Sequence, residues 1–412
     1  MNPWKYLLVI FPITVASLQA AVYCVVTNAV TPSHPYDTWG TAYTNIQDAL
    51  NAARSNDTIY LAGHTFALTS QLSWTGIASH VTVRGGYAAT NPSISGGERD
   101  SAQWPTVIRQ TGSDRVMAIS KVTNGVLDQV VVTGGNPPTA SSQWNGVGLS
   151  VEQCRNFLIS SCVITSNRML LSNATKRGGG IYSLSNDWLV VSNCLIRGNQ
   201  LSGNTGGDSI GGGVCNSQGK LLCVNTEISS NSAARSSTGA AVFNYGTNVL
   251  VNCLVYGNTQ TLPQSGNVGI IQNFALAGGR LTIENCTVVS NSASVGVGTG
   301  SPSVTTATNS IFWSNTDDLN GAASLGFCAI QTTDTFWTNN VNGCFTNNPL
   351  FAGAATNNFR LTSSSPCKDT GTNLAWVTTS VDLEGKKRKS GLNVDIGAYE
   401  LQGPQGTMVT FK

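Results

Sequence analysis

A chain of 412 residues with 22 Lys and Arg against 20 Asp and Glu has no excess of either sign to draw it to nucleic acid or an anionic membrane. Only 10% of its residues are charged, too few for an ordinary solvated helical surface, and a 41% hydrophobic share excludes disorder. The surface must therefore be built of small polar residues and turns.

At the N-terminus, Lys5 precedes an apolar run from Tyr6 to Val15, with small residues at Ala16, Ala20 and Ala21. This order predicts a secretory signal peptide over residues 1–20, because the run is too short, and too broken by Pro12, to span a bilayer. Tyr23 stands before Cys24 where a lipoprotein signal wants a small residue, so no lipid anchor is expected. Export would expose the 11 cysteines to oxidation, and their odd number allows at most five bridges. Cys215 with Cys223 is the most plausible local pair. No CxxC spacing supports zinc or redox chemistry.

The stretch TNIQDALNAAR predicts a short helix. Thr44 and Gln47 form a capping-box pattern, and Ile46, Ala49, Leu50 and Ala53 share one face. The strand TIYLAG follows it.

From residue 125 the chain repeats. FLISSCVITSN, LVVSNCLIRGN, LLCVNTEISSN, NVLVNCLVYGN, LTIENCTVVSN and TTATNSIFWSN close on Asn167, Asn199, Asn231, Asn258, Asn291 and Asn315. LDQVVVTGGN, closing on Asn136, is a weaker first copy, and the closing residues lie 24 to 33 apart. One apolar column holds Ile159, Val191, Cys223, Leu250 and Ile283; a second holds Ile164, Ile196, Ile228, Val255, Val288 and Phe312. Both are expected to face inward. Between them Ser161, Asn193, Asn225, Asn252, Asn285 and Asn309 mark a corner, since Asn tolerates a left-handed backbone, and their amides are expected to stack from coil to coil. Cys162, Cys194, Thr226, Cys253, Cys286 and Ser310 form a small-residue column under that corner. After each closing Asn comes a variable loop, then a glycine-led strand: GGGIYS, GGGVCN or GAAVFN. Each turn of chain thus reads as three short strands with one loop leaving at a fixed corner, which predicts an all-β fold, a right-handed parallel β-helix.

The triple glycine in phase with the closing Asn resembles the repeats of polymorphic outer membrane proteins. The helix-then-strand opening, and residues 85–108 with their Gly-Gly-aromatic turn and Arg-Asp pair, resemble the start of many bacterial β-helix proteins. NPLF, FRLTSSSPCKDTG, VDLEGKKRK and VDIGAYE, within residues 346–402, are similar to the choice-of-anchor Q domain that closes many exported bacterial β-helix proteins. That resemblance implies a secreted or cell-surface bacterial protein; residues 403–412 contain no hydrophobic tail or sortase motif. The expected organisation is signal peptide 1–20, cap and first coils 21–124, central repeats 125–345, closing segment 346–402 and tail 403–412. Asp369, Asp382, Arg388, Asp395 and Glu400 are expected to hold the turns of the closing segment, with a calcium or catalytic carboxylate cluster as the alternative. The KKRK run from Lys386 to Lys389 reads as a solvated turn.

For chemistry, the outward positions on the repeats contain no aligned carboxylate pair, and His34, His64 and His80 all precede them. The polygalacturonase-type set of NTD, DD, GHG and RIK motifs is absent, since neither GHG nor RIK occurs. Lys176, Arg177, Asp187 and Asp208 form the best available catalytic set. Trp144, Tyr182, Trp188, Tyr256 and Trp313 are candidates for stacking on sugar rings, with packing under loops as the alternative. No cofactor is expected. The sequence favours a non-catalytic module binding an extracellular polysaccharide or cell-surface component, or a structural passenger; the alternative is a polysaccharide lyase or glycoside hydrolase.

Overall fold

The computed structural model describes residues 20–402, apart from 77, 138–142, 171–174, 203–207, 235–238, 262–267, 275–278, 322 and 332–340. Residues 1–19 of the expected signal peptide, and the tail, lie outside the described residues.

Short strands stack in register from coil to coil to form a right-handed parallel β-helix. In one coil Leu149–Glu152 gives the first face, Phe157–Ser160 the second and Val163–Thr165 the third. Each pairs in parallel with its equivalents, as in Leu149 with Ile181, Ile159 with Val191 and Ile164 with Ile196. The third face alone stacks 10 strands, from Thr65–Leu68 to Ala329–Ile330, a rod of about 45 Å at the usual strand spacing. Both predicted apolar columns are fully buried and belong to one continuous core.

The corner column has the predicted backbone: Ser161, Asn193, Asn225, Asn252, Asn285 and Asn309 all have φ near +50°. Under it, Cys162 Sγ donates to the carbonyls of Ser160 and Leu127, just as Thr226 Oγ1 donates to those of Val224 and Val191. A thiol and a hydroxyl interchange there because both are small donors. All 11 cysteines are free. Cys215 packs with Tyr182, Ile210 and Phe243, whereas Cys223 belongs to the main core. The expected bridge between them is therefore corrected: eight residues along the strand run Val214–Val224 exceed the reach of a disulfide.

In the expected corner column the amides stack at two places, Asn225 Nδ2 donating to Asn193 Oδ1 and Asn309 Nδ2 to Asn285 Oδ1, each at 3.3 Å. The continuous ladder runs through the closing column. Nδ2 of Asn167, Asn199, Asn231, Asn258 and Asn291 each donates 3.0 Å to Oδ1 of the next closing Asn, ending at Asn315. Asn136 stays exposed outside this ladder, and Gly135 N–H opens it by donating to Asn167 Oδ1. The glycines after each loop belong to the same construction. A Cβ on Gly180 would stand 2.7 Å from Gly213 O and 3.0 Å from Asn199 Nδ2. A second ladder, Asn216 to Asn244 to Asn273, closes the first-face strands.

At the N-terminal end the helix Ile46–Ala52 buries Ile46, Ala49 and Leu50 against the core. Its cap is Asn45, whose Oδ1 accepts from Asp48 N–H, one residue later than the Thr44 and Gln47 pattern suggested. Gln47 instead ties the helix to Ser73 by exchanging two hydrogen bonds with its backbone. Among the described residues no helix is long and apolar enough to cross a membrane.

The C-terminal segment runs back along the flank as a strap. Asn252, Asn285 and Asn309 donate from Nδ2 to the carbonyls of Val381, Asp395 and Thr372. Trp376 Nε1 donates to Glu284, and Ala398 N–H to Thr287 Oγ1. Phe359 covers Leu254 and Val289, while Leu361, Cys367 and Ile396 cover Ile311 and Ala329. This accounts for apolar residues at outward third-face positions: they face the strap.

Candidate functional site

Where the strap meets earlier coils, it leaves a cleft of about 350 Å³. Its floor is the corner column at Ser161, Asn193 and Asn225 with the outward third-face residues Val163, Leu195 and Glu227. Its wall is Arg360, Leu383, Glu384 and Tyr399.

The charges in the cleft are held by neighbours. Arg360 binds Glu384 through both Nε and Nη2, and Lys386 Nζ reaches the same carboxylate at 2.9 Å. The Arg360 hydrogen bond, with help from Lys386, holds the Glu384 carboxyl down at about 2. Arg360 also lies 5.2 Å from the ring centre of Tyr399, whose phenol burial pushes up to about 12. Neither Glu384 nor Tyr399 thus exchanges a proton near neutral pH. Glu227 Oε1 accepts from Ser229 Oγ at 2.7 Å and Tyr256 Oη at 3.1 Å. Asn225 turns its Oδ1 inward, buried and without a hydrogen bond from the described residues, and donates from Nδ2 to Asn193 Oδ1. The cleft therefore offers acceptors and amides, with an aromatic wall.

The predicted catalytic set divides in space. Lys176 and Arg177 pair in register with Ser209 and Ile210, and Lys176 N–H donates to Asp208 O. Lys176 itself is fully buried. Asp187 stands apart, with Cys154 O accepting its N–H, and with Arg155 and Lys220 as ion partners at 4.0 and 3.7 Å.

The predicted aromatics divide likewise. Tyr182 is buried with Ile210, Cys215 and Phe243. Tyr256 lies 5.3 Å from Phe359, and Trp313 packs beside the strap. Trp188 is half-buried, with Lys220 Nζ 5.5 Å from its ring centre. Trp144 lies on Gln143–Asn145, opposite Lys176, and its side chain is outside the described part. Arg360, Glu384 and Tyr399 escaped the sequence reading because more than 130 residues separate them from Glu227. The apolar outward residues Leu254, Val289 and Ile311 were the available signal.

The acidic residues of the strap mostly bind its own backbone. Asp382 accepts from the N–H groups of Glu384, Lys386 and Glu400; Asp395 from those of Asp369 and Leu401; Glu400 from those of Ser390 and Asp395. Arg388 is not in a solvated turn: it is fully buried, and its Nη2 donates 2.7 Å to the carbonyls of Asp395 and Gly397. Burial, then the Asp395 charge, raises the Glu400 carboxyl to about 7. Because this value lies above that of the unfolded chain, the Glu400 contribution is full below about pH 4.5 and is lost as pH rises through 7. Glu384 has the opposite sign, stabilising above about pH 4.5 and losing its contribution as pH falls toward 2. Melting followed by calorimetry from pH 2 to 8 should show both limbs. Glu384→Gln should flatten the acid limb and Glu400→Gln the limb between pH 5 and 8; unchanged limbs in both variants would refute these assignments.

No family model matches the sequence, and no curated protein matches it. Among solved structures, the pectate lyase Pel9A superposes with a TM-score of 0.52 at 16% identity, over 93% of this chain and 97% of that one. The pectin methylesterase from Aspergillus niger gives a TM-score of 0.42 at 13% identity, over 81% and 92%. At these identities the likeness to Pel9A is one of fold: a pectate-lyase-like β-helix.

Proposed function

We propose that the protein is an exported, non-catalytic β-helix module that binds a glycan in the cleft between the strap and the corner column. The observation carrying this reading is the state of the cleft's ionisable groups. Glu384 is committed to Arg360 and Lys386, and Tyr399 keeps its proton, so the wall can hold a ligand but supplies no proton donor or acceptor near pH 7. With Arg360 neutralised, Glu227 is an acceptor suited to sugar hydroxyls, and Tyr399 offers an aromatic edge. A neutral saccharide fits better than a polyuronate, whose carboxylates would meet Glu227 and Glu384. Export and a bacterial cell-surface setting rest on the signal-like N-terminus and on the resemblance of residues 346–402 to the choice-of-anchor Q domain.

The alternative, a polysaccharide-active enzyme, would draw on Lys176, Arg177 and Asp208, which share adjacent coils. Glycan-array binding, followed by titration calorimetry on the best neutral oligosaccharide, separates the two. Glu227→Ala combined with Tyr399→Leu should weaken binding by at least about tenfold, the loss of one hydrogen bond and of the aromatic edge. Binding indifferent to both changes would refute the cleft. Ultraviolet-absorbing products from a polyuronate, abolished by Lys176→Ala with Arg177→Ala, would replace this reading with the enzymatic one.

A further inference from the structure

The small-residue column beneath the corner is divided into pairs. Thr226 separates Cys162 and Cys194 from Cys253 and Cys286, and Ser310 separates those from Cys328 and Cys344. In each pair the two residues sit on neighbouring coils, and the backbone N–H of the first points at the sulfur of the second, at 3.4, 3.4 and 3.2 Å. Parallel stacking brings such Cα atoms to about 4.8 Å, within the range a disulfide spans.

The pairs differ in access. Cys253, Cys286 and Cys328 are fully enclosed, and Cys162 and Cys194 nearly so, whereas Cys344 is half-exposed. Its register with Cys328 is fixed by the parallel bridge between Ala329 and Phe345, where Phe345 N–H donates to Cys328 O at 3.0 Å. We infer that Cys328 and Cys344 form an oxidisable pair, which a low-molecular-weight disulfide converts into a bridge stapling the last two described coils together.

The roles within the pair follow from their surroundings. Hydrogen bonding from the Cys328 side chain lowers the Cys344 thiol to about 7, while burial drives Cys328 well above its ordinary value. The Cys344 thiolate attacks one sulfur of the oxidant, forming a mixed disulfide and expelling one thiolate. Cys328 then gives up its proton and attacks Cys344 Sγ, expelling the second thiolate. One protein disulfide forms as the oxidant's disulfide is reduced to two thiols.

Native full-length protein incubated with oxidised glutathione at pH 8 tests this, read by thiol counting after denaturation and by peptide mapping. Nine of the 11 thiols should remain, with a single linked peptide joining Cys328 to Cys344. Cys328→Ser should instead accumulate a glutathione adduct on Cys344, and Cys344→Ser should stay fully reduced while retaining wild-type circular dichroism. Stapling should also raise the melting temperature of the oxidised wild type, reversibly on reduction. A map showing the bridge at another pair, a stable glutathione adduct on wild-type Cys344, or all thiols still free after exhaustive exposure would overturn the inference.

Discussion

Replacing Asn231 by alanine should lower the free energy of unfolding by about 4 kcal/mol, a large part of the total for a typical domain. The residue is fully buried in the middle of the amide ladder, with its Oδ1 accepting from both N–H and Nδ2 of Asn199. Its Nδ2 donates to Ile196 O and to Asn258 Oδ1. Alanine leaves the two Asn199 donors facing a space without an acceptor. Each orphaned donor costs about 1–3 kcal/mol, more than the net value of the bonds themselves. Because stability in a stacked rod is approximately a sum of coil interfaces, the effect should fall on the coils around Asn231. Urea unfolding with hydrogen exchange on native protein measures both the size and the location. Asn156→Gly, at an exposed corner residue whose φ of 51° glycine holds without strain, should change stability by less than about 0.5 kcal/mol. Equal effects from the two substitutions would show that the ladder contributes nothing beyond an ordinary surface amide.

Arg388→Ala should release the strap while leaving the rod folded. The guanidinium is enclosed within the strap, bonded to two carbonyls and surrounded by the charges of Glu400, Asp395 and Asp382. Removing it strips those acids of their central cation, and breaking a buried charge arrangement of this kind costs about 3–5 kcal/mol. Arg388→Lys should rescue only in part, since one ammonium lacks the planar fork that meets both carbonyls. Once released, the strap exposes Leu254, Val289 and Ile311. Limited proteolysis should then cut between residues 346 and 402, dye binding to apolar surface should rise, and the far-ultraviolet spectrum should stay that of a β-rod. Undiminished protease resistance would mean that the side-chain contacts of Phe359 and Leu361 hold the strap by themselves.

The sequence carried the coil but not the wrapping around it. Ile164, Ile196 and Ile228 announced the core by period and apolarity, and Asn193 and Asn225 announced the corner because few other residues accept φ near +50°. What period cannot separate is two columns of the same residue type: Asn193 and Asn199 recur with one spacing, yet only Asn199 is buried in the amide ladder. The helix cap failed by one residue for a related reason, since Thr44 and Asn45 are both capping residues and backbone geometry chose between them. The cleft was least legible. Arg360 and Glu384 find each other locally, but their placement beside Glu227 depends on apolar contacts between distant parts of the chain. The burial of Arg388 inside a run of lysines was hidden because hydropathy treats the four cations alike.

The strap's anchors fall on Asn252, Asn285 and Asn309, the corner residues of three successive coils. It is thus a gauge cut to a fixed number of steps of about 4.8 Å. Losing the coil between Asn252 and Asn285 would move one anchor by a full step and set the Val381 or Asp395 carbonyl opposite the wrong partner. A coil inserted or deleted ahead of the corner at Ser161 meets no such constraint, because ladder and core simply re-form with the next copy. Rod length is accordingly free to drift by whole coils at one end while the other end stays fixed.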